Sequence, residues 1–336
     1  MCGAPDVTGT RYITGGRRLV FVSLHEVVNT VPRLTEVKVA DWIEALKRDG
    51  YSVVRGLFAP EEVAGLRVVA EAVRHQAVGR HFTERMGNVR FFSDGDSSRP
   101  DQLRSVIWCG LLSPQLEAVR RDPRLFELLE PLLGATIRQV TNQLHYKPPG
   151  ADASFPLHTD RSSRLRDQGD QIRNLDSCFI QTGIAIDAMS GENGGVYYVP
   201  GSHHWSATSV HAQPASRRRR PEEDYEATMP EDCVPVCLEP GDVVVWTGDT
   251  VHGSAVNSSK ERSRTLYING YVRGRDCLRG YWAWIKGTPV PLPPIDVPAL
   301  VYGEPGFEPF DASGATELVE RVMAHSRGGG WSAQAD

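Results

Sequence analysis

The sequence predicts a mainly β protein, a sandwich or barrel, with helices flanking the sheets. From residue 136 onward, several short segments alternate apolar and polar residues, which is typical of strands. Turns rich in glycine and proline separate these segments at close spacing, as in all-β sandwiches and barrels. The residues before them instead carry apolar side chains at helical spacing, so we expect the helices to precede the sheet core.

Composition and charge exclude several classes of protein. A chain of 336 residues with 40% hydrophobic residues can bury a substantial core in one large domain or two ordinary ones. Its net charge of −5 gives no attraction to nucleic acid or to an anionic membrane. Six cysteines without a CxxC pair indicate neither a disulfide framework nor a structural zinc site. The N-terminal apolar run is too short for a signal peptide, so we expect a soluble cytoplasmic protein of unknown oligomeric state.

The N-terminal part of the predicted domain is expected to form a helix, a strand and further helices. "KVADWIEALKRDG" reads as a helix that stops at Gly50, and "YSVVRGLF" follows as a short strand. Pro60 suits the first turn of the next helix, with Glu61 and Glu62 placed favourably for the helix dipole. A further helical stretch is expected around residues 113–134, ending on Gly134.

Strands dominate the remainder of the chain. The predicted strand segments are "TIRQVTNQLHYKPPG", "DSCFIQTGIAIDAM", "GENGGVYYVPGSH", the two halves of "CVPVCLEPGDVVVWTGDTVHG", and "SRTLYINGYVRG". Residues 206–232 form a long polar loop between them, in which four arginines precede three acidic residues. We interpret it as a solvated loop, and the alternative is a phosphate-binding patch.

These patterns predict one domain with an extension at each end. Residues 1–37 have no clear period and are predicted to be an N-terminal extension. Residues 38–290 form the domain, with a helical flank over 38–135 and the β core over 136–290. Residues 291–336 form a C-terminal extension, which begins within a proline-rich stretch and contains a short helix near 315–324.

A candidate metal site begins in the segment "SFPLHTDRSS". His158 and Asp160 are two residues apart, so in extended chain both side chains point to the same side. His252 follows directly after the apolar strand "VVVW" and supplies a third ligand type from a distant part of the chain. Two imidazoles and one carboxylate make the facial triad that holds Fe(II) and leaves positions open. His145 could line the same cavity, although an interior hydrogen-bonded histidine is the simpler interpretation.

The open positions on such an iron suit a bidentate 2-oxoacid as cosubstrate. Its far carboxylate needs a fixed cation, ideally a guanidinium that binds both oxygens. Arg264 leads directly into an apolar strand and is the first candidate. Arg262 lies two residues earlier, so in extended chain it would point to the same side, and it is the second candidate. Ser254 follows His252 by two residues and could donate a hydrogen bond to the same carboxylate. Gln143, in phase with His145 on the alternating strand, is a further candidate cofactor-binding residue.

Together these segments resemble the phytanoyl-CoA dioxygenase family of Fe(II)/2-oxoglutarate oxygenases. The likeness extends from about Val39 to Val272. It comprises "RDGYSVVRGLFAPEEVAGLR", "YKPPG", "LHTD", "ENGGVYYVPGSHHW", "EPGDVVVWTGDTVHGSAVN" and the closing arginine strand, in this order. One departure is the spacing from His252 to Arg264, which is slightly longer than we expect for the family and leaves Arg262 as an alternative.

The resemblance implies a double-stranded β-helix, a cupin-like jelly roll flanked by helices, as the core of one oxygenase domain over 38–290. It also implies iron ligation by His158, Asp160 and His252, with 2-oxoglutarate on the arginine after the distal histidine and dioxygen as oxidant. Relatives that halogenate replace the carboxylate ligand, so Asp160 favours hydroxylation or another oxidation of an unactivated C–H bond. The arginine-rich composition favours a bacterial biosynthetic enzyme that acts on a small molecule.

The sequence leaves two interpretations of the substrate. Arg161, Arg164, Arg166 and Arg173 follow the ligand pair and predict an anionic substrate. The alternative is a charged loop in which Asp167, Asp170 and Asp176 are the counter-charges. Three aromatic residues either line the pocket or belong to the core, namely Tyr198, Trp205 and Trp246.

Two other functions use the same fold. One is a cupin-like metal-dependent hydrolase or isomerase with the same ligands around another ion. The other is a jelly-roll binding protein without catalytic activity. The arginine placed after His252 argues against the first, because simple metal hydrolysis does not require it. The presence of every part of the iron site argues against the second.

Overall fold

A computed structural model describes residues 36–77, 85–86, 89–93, 103–161, 179–205, 232–277 and 280–293. The helices are α1 (Glu36–Asp49), α2 (Pro60–Ala77), α3 (Pro114–Arg120) and α4 (Pro123–Leu133). The strands are β1 (Tyr51–Val54), β2 (Arg85–Met86), β3 (Val89–Ser93), β4 (Leu103–Ile107), β5 (Ile137–Lys147), β6 (Phe155–His158), β7 (Phe179–Ala185), β8 (Val196–Tyr198), β9 (Val234–Pro235), β10 (Val243–Thr247), β11 (His252–Ser254), β12 (Arg264–Arg273), β13 (Tyr281–Ile285) and β14 (Thr288–Pro289). None of the helices in these ranges combines the length and hydrophobicity needed to cross a membrane.

The strands of these ranges form two antiparallel sheets. The larger sheet has the order β1-β10-β7-β12-β5-β4-β3-β2, and β13 pairs with both β5 and β14 beside it. The smaller sheet has the order β6-β11-β8-β9. Strands that are far apart in sequence are therefore neighbours in space. The predicted class, mainly β with flanking helices, is confirmed.

The larger sheet buries both faces of β10, which explains why this strand is apolar on both sides. On β10, Val243 and Val245 belong to the core beneath the helices, where Leu125 and Leu128 of α4 also lie. Val244 and Trp246 point the other way and pack with Val196 and Tyr198 of the smaller sheet. The space between the two sheets is therefore lined from both sides, and it contains the candidate site.

The predicted helix over 113–134 is two helices. The chain breaks at Asp122, whose side chain accepts a hydrogen bond from the Arg124 backbone N–H and caps α4. Pro123 follows in the first turn, where a proline lacks no hydrogen bond. Asp122 and Pro123 are both typical of a helix start, but the helical spacing of the leucines on either side favoured one continuous helix.

The predicted helical flank also contains strands that the sequence analysis missed. β2, β3 and β4 extend the larger sheet beyond β5. Their segments are short and mixed in polarity, so their strand structure depends on pairing rather than on local pattern. Three predicted segments lie wholly or mostly outside the described residues, namely residues 1–35 of the extension over 1–37, residues 206–231 of the loop over 206–232, and the helix near 315–324.

Candidate active site

The smaller sheet brings the candidate ligands together. His158 is the last residue of β6, and His252 is the first residue of β11. These strands are antiparallel neighbours in which His252 lies directly opposite His158. Asp160 follows two residues after His158, where the strand has ended and the chain turns. Cross-strand pairing therefore joins residues that are far apart in sequence.

The three side chains converge on one point. One ligand atom from each of His158, Asp160 and His252 lies within 4.8 Å of the other two. Nε2 of His252 is 3.5 Å from Oδ2 of Asp160, and Nε2 of His158 is 3.9 Å from Oδ1 of the same carboxylate. Ligands at right angles around an ion, each at about 2.1 Å, would be about 3 Å apart. Small side-chain rotations would bring the three atoms to that spacing.

Backbone carbonyls orient both imidazoles. Nδ1 of His158 donates to the carbonyl of Pro156 at 2.8 Å, and Nδ1 of His252 donates to that of Thr250 at 2.9 Å. Because a carbonyl only accepts, the proton sits on Nδ1 and each Nε2 keeps its lone pair for a metal. Burial lowers the pKa of His252 to about 4, so this imidazole is neutral at physiological pH.

The carboxylate of Asp160 is held by groups behind it. Trp246 donates from Nε1 to Oδ2 of Asp160 at 2.8 Å. Burial acts to raise the pKa of Asp160, but the imidazoles of His252 and His158 and hydrogen bonds from Gln181 and Trp246 keep it below its ordinary value. The carboxylate is therefore ionised and fixed in orientation, as a metal ligand must be.

A cavity of about 340 Å³ opens in front of the three ligands. This volume is at the lower end of the range of about 300–1,000 Å³ that is usual for small-molecule sites. Its walls come from both sheets and combine apolar and polar side chains. The lining residues include Phe92, Arg104, Ser105, Ile107, Val140, Thr141, Gln143, His145, Phe155, Gln181, Val196, Tyr198, Trp246, Ser254, Arg264, Leu266 and Ile268.

The structure separates the two candidate arginines. Arg264, on β12, is 2% exposed and lines the cavity. Its guanidinium donates from Nε and Nη2 to the carbonyl of Gly194, at 3.2 and 3.0 Å, and forms no ion pair within the described part of the chain. Arg262 instead pairs with Glu192 at the surface, where its side chain is 49% exposed. Of the two, Arg264 is the one available to a ligand in the cavity.

A buried cation in a site of this kind is suited to an anion. Burial lowers the pKa of Arg264 to about 10, so the group stays charged at neutral pH. A buried charge is costly unless an opposite charge or strong hydrogen bonds compensate for it. A carboxylate in the cavity would supply that compensation, because its two oxygens match the guanidinium fork.

The other candidate cofactor-binding residues lie on the same walls. Gln143 and Ser254 both line the cavity, and Oγ of Ser254 accepts a hydrogen bond of 2.8 Å from Nζ of Lys147. Lys147 lies opposite Arg264 in the β5–β12 pairing, so two cations flank the same end of the site. His145 also faces the cavity but is not part of the ligand cluster.

Tyr198, which the sequence left as either a pocket or a core residue, adds a polar group to the cavity. The Tyr198 ring is fully buried, stacks beside His252 with ring centroids 5.6 Å apart, and lines the cavity. Its phenol oxygen has no hydrogen-bond partner among the described residues. A buried hydroxyl without a partner is costly, which fits a group that bonds to a ligand. The sequence offered Tyr198 as a pocket residue, and the structure adds that its hydroxyl is buried without a partner among the described residues.

Several predicted residues lie elsewhere. Arg161 pairs with Asp249 at 3.1 Å, and Trp205 packs against a small cluster that is separate from the cavity. His203 and His204, which were not among the candidate ligands, both bond to the carbonyl of Lys47 at the end of α1. The remaining arginines of the predicted anion-binding segment, and its three aspartates, lie within 162–178 and outside the described residues.

The side chains around the cavity fit both the iron and the 2-oxoacid that the sequence predicts. Two imidazole nitrogens and one ionised carboxylate form a site with an open face, as in the facial triad of iron oxygenases. The buried guanidinium of Arg264 and the buried phenol of Tyr198 fit an anionic oxoacid beside it. The arrangement can therefore hold a redox-active metal and an oxoacid together in one cavity.

Comparison with known proteins also points to an iron- and 2-oxoglutarate-dependent oxygenase. The family model described as phytanoyl-CoA dioxygenase matches residues 46–266, which is more than half of the chain. The ectoine dioxygenase of Bordetella parapertussis is 27% identical over 238 residues, covering 66% of this chain and 71% of that protein. The family match includes the segments that contain both halves of the ligand cluster.

Solved structures share the fold. EctD from S. alaskensis with bound Fe has a TM-score of 0.56 at 20% identity, covering 74% of this chain and 80% of that one. The non-heme alpha ketoglutarate dependent epimerase SnoN from nogalamycin biosynthesis has a TM-score of 0.55 at 20% identity, covering 82% and 91%.

These two proteins have also been solved with ligands. EctD has been solved with 2-oxoglutarate and 5-hydroxyectoine, and SnoN with Fe3+, alpha ketoglutarate and nogalamycin RO. Membership of the family, together with the ligand cluster, confirms the predicted cofactor pair of iron and 2-oxoglutarate. The chain belongs to the phytanoyl-CoA dioxygenase family of iron- and 2-oxoglutarate-dependent oxygenases.

Proposed function

We propose that this protein uses Fe(II), 2-oxoglutarate and dioxygen to oxidise an unactivated C–H bond of a small molecule. The observation that carries the proposal is the convergence of His158, Asp160 and His252 within 4.8 Å on a cavity that Arg264 also lines. Membership of the oxygenase family supports the same interpretation.

The three ligand side chains would hold iron through Nε2 of His158, a carboxylate oxygen of Asp160 and Nε2 of His252. When bound, iron and 2-oxoglutarate supply the oxidising chemistry, in which decarboxylation to succinate and carbon dioxide is coupled to attack on a C–H bond. The protein fixes the ligands in advance, because the carbonyls of Pro156 and Thr250 set both tautomers. It thereby keeps one face of the site open to the cavity.

Arg264 would bind the far carboxylate of 2-oxoglutarate. Its position on β12 is rigid, since β12 lies between β5 and β7 in the larger sheet. Tyr198 and Ser254 line the same cavity and would add hydrogen bonds from their hydroxyls. The guanidinium and hydroxyls would orient the cosubstrate before the substrate enters. The entropy cost of placing the cosubstrate is then met before the reaction begins.

The rest of the cavity favours a small substrate. Ile107, Val140, Leu266 and Ile268 give it apolar walls, and these side chains carry no group that competes for the metal. Apolar walls also strengthen the electrostatic contacts inside. The substrate would share the volume of about 340 Å³ with the cosubstrate, so the part of the substrate that enters is small.

The comparisons support a role in bacterial secondary metabolism and leave the oxidative outcome broad. One relative is named for ectoine, and another is described as an epimerase from nogalamycin biosynthesis. Hydroxylation is favoured over halogenation because the carboxylate ligand, which halogenating relatives replace, is present here as Asp160. Epimerisation, desaturation and ring formation belong to the same class of C–H chemistry.

The test is the optical spectrum of the complex. Adding Fe(II) and 2-oxoglutarate to the protein without oxygen should produce the weak visible charge-transfer band of the chelate. His252→Ala should lose the band, whereas His204→Ala, outside the cavity, should keep it. Succinate release measured against a panel of small molecules would then identify the substrate. A wild-type protein that binds Fe(II) but never shows the band would contradict the proposal and favour a metal-dependent hydrolase or isomerase.

A further inference from the structure

The amide of Gln181 lies next to the candidate iron site. Gln181, on β7, is paired with Trp246 of β10 on one side and with Gly270 of β12 on the other. It is 2% exposed and lines the cavity. Its amide donates a hydrogen bond to the carboxylate of Asp160, as the indole of Trp246 does. Two neighbouring strands therefore support the same ligand.

The contact with Asp160 determines which end of the amide faces the ligand cluster. An ionised carboxylate only accepts hydrogen bonds, so the nitrogen of the Gln181 amide is the end that faces it. The carbonyl oxygen, Oε1, is the other end. This oxygen is buried and has no hydrogen-bond partner among the described residues. A buried acceptor without a partner is costly, so this orientation leaves a strong acceptor for a ligand.

A glycine makes room for this oxygen. Leu266 and Ile268, at alternate positions of β12, line the cavity, and residue 270 follows on the same face of the strand. A Cβ at Gly270 would lie 2.6 Å from Oε1 of Gln181 and 2.8 Å from the Cβ of Thr141. An alanine at this position would therefore displace the amide. Gly270 is a positioning residue for the Gln181 carbonyl.

The cosubstrate does not supply the missing hydrogen-bond donor. At neutral pH the carboxylates and the keto group of 2-oxoglutarate only accept hydrogen bonds. Its far carboxylate would also lie on Arg264, and Gly270, the neighbour of Gln181, is six residues farther along β12, a distance of about 20 Å. The donor must therefore come from the substrate, or from a water that the substrate replaces.

We propose that Oε1 of Gln181 accepts a hydrogen bond from a hydroxyl or amino group of the substrate, and that the enzyme oxidises a carbon close to that group. The proposal rests on the function proposed above and names the class of its substrate. The nitrogen and oxygen of the amide are attached to the same carbon, so a group bound to Oε1 lies beside the carboxylate of Asp160. A molecule without a donor would leave the oxygen unpaired, and buried polar groups discriminate strongly in this way.

Three aromatic probes of similar size test the inference. Phenol offers an O–H donor, aniline offers N–H donors, and fluorobenzene offers neither. Ligand-observed NMR titration gives a Kd for each in the complex with 2-oxoglutarate and saturating Zn(II), a diamagnetic ion that does not react with dioxygen. In Gln181→Met, the affinity for phenol or aniline relative to fluorobenzene should fall by about fivefold or more, because one hydrogen bond is lost. Phenol and aniline separate a hydroxylated substrate from an amine.

Two further variants define the result. Gly270→Ala keeps the glutamine but displaces its amide, so it should also lower the relative affinity for the donor probes. Gln139→Met replaces another buried glutamine, whose amide donates to Asn269, and it should leave the relative affinities unchanged. The thermal melting curve and the Kd for 2-oxoglutarate report whether each variant retains its fold and its site.

Two outcomes would overturn the inference. One is an unchanged relative affinity for both donor probes in Gln181→Met, which would mean that Gln181 only orients Asp160. The other is a wild-type protein that binds neither phenol nor aniline. The chelate band with Fe(II) decides the proposed function separately, because its absence would remove the oxygenase activity and leave the donor preference in the Zn(II) complex as an independent measurement.

Discussion

The indole Nε1 of Trp246 lies 2.8 Å from Oδ2 of Asp160 and donates a hydrogen bond to it. Trp246 is 2% exposed, and its ring also contacts that of His252 edge-on, with centroids 5.6 Å apart. One side chain at the end of β10 therefore positions two of the three candidate ligands. Partners of this kind set the orientation of a ligand and the strength of its bond to the metal.

Trp246→Phe keeps an aromatic ring but removes the hydrogen bond to Asp160. We expect its affinity for Fe(II) to fall by about 10- to 100-fold, as is typical when a partner of a metal ligand is lost. Competition with a chelator of known affinity measures this change. Trp42→Phe is the matched control, because Trp42 is a buried tryptophan of α1 whose indole N–H has no hydrogen-bond partner in the described residues. An unchanged affinity in Trp246→Phe would show that the indole only fills space.

Arg264→Leu removes the buried guanidinium and retains an apolar side chain. The dissociation constant for 2-oxoglutarate should rise by about 10- to 100-fold, because a charged hydrogen-bonding partner contributes about 1.5–3 kcal/mol. Titration of the anaerobic chelate band measures that constant. Arg262→Leu should leave it unchanged, since Arg262 pairs with Glu192 at the surface. The reverse pattern would assign the cosubstrate to Arg262.

Tyr198→Phe should have opposite effects on stability and on binding. The buried phenol oxygen has no partner within the described ranges, so its removal should raise the free energy of unfolding of the ligand-free protein by about 1 kcal/mol. Binding of 2-oxoglutarate should weaken by about fivefold if the hydroxyl bonds to it. Urea unfolding and titration of the chelate band measure the two quantities.

A second tyrosine provides the control for that experiment. The Tyr267 hydroxyl donates to the carbonyl of Leu116 at 2.7 Å and accepts from Asn142. Tyr267→Phe leaves those buried groups without their partner, so it should lower the free energy of unfolding by about 1–3 kcal/mol. A similar loss of stability in Tyr198→Phe would mean that the Tyr198 hydroxyl is already satisfied in the free protein.

Gly253→Ala should disturb the pairing of the two strands that carry the histidines. A Cβ at Gly253 would lie 2.7 Å from the carbonyl oxygen of Phe155, so β11 would have to move away from β6. We expect a loss of about 1–3 kcal/mol in the free energy of unfolding, which is typical of overpacking, and weaker binding of Fe(II).

The control for Gly253→Ala is a glycine with space around it. A Cβ at Gly65, within α2, would have no atom of the described residues within 4 Å apart from its own helix backbone and chain neighbours. Gly65→Ala should therefore stabilise the protein by about 0.5–1 kcal/mol, as expected when alanine replaces glycine in a helix. Thermal unfolding and chelator competition measure both variants. If Gly253→Ala binds Fe(II) as tightly as the wild type, the distance between β6 and β11 is not what holds the ligands.

The sequence itself determined the local features. His158 and Asp160 are two residues apart at a strand end, so the sequence allows both side chains to face one cavity, and His252 supplies the third ligand that makes the pair significant. The long strands β5, β7 and β12 were predicted because their apolar pattern reflects burial of their own side chains. The family resemblance depended on the same local segments, and the comparisons confirm it.

The tertiary structure decided which distant residues meet. It separated Arg264 from Arg262, joined Trp246 to Asp160, and buried the Tyr198 hydroxyl without a partner among the described residues. It also placed Arg104 in the cavity through a bulge that only the pairing of β3 with β4 reveals. These outcomes depend on strand register, and register is set by pairing across the sheet. A side chain's neighbours along the chain therefore predict its type of element, but only its neighbours across the sheet determine what it binds.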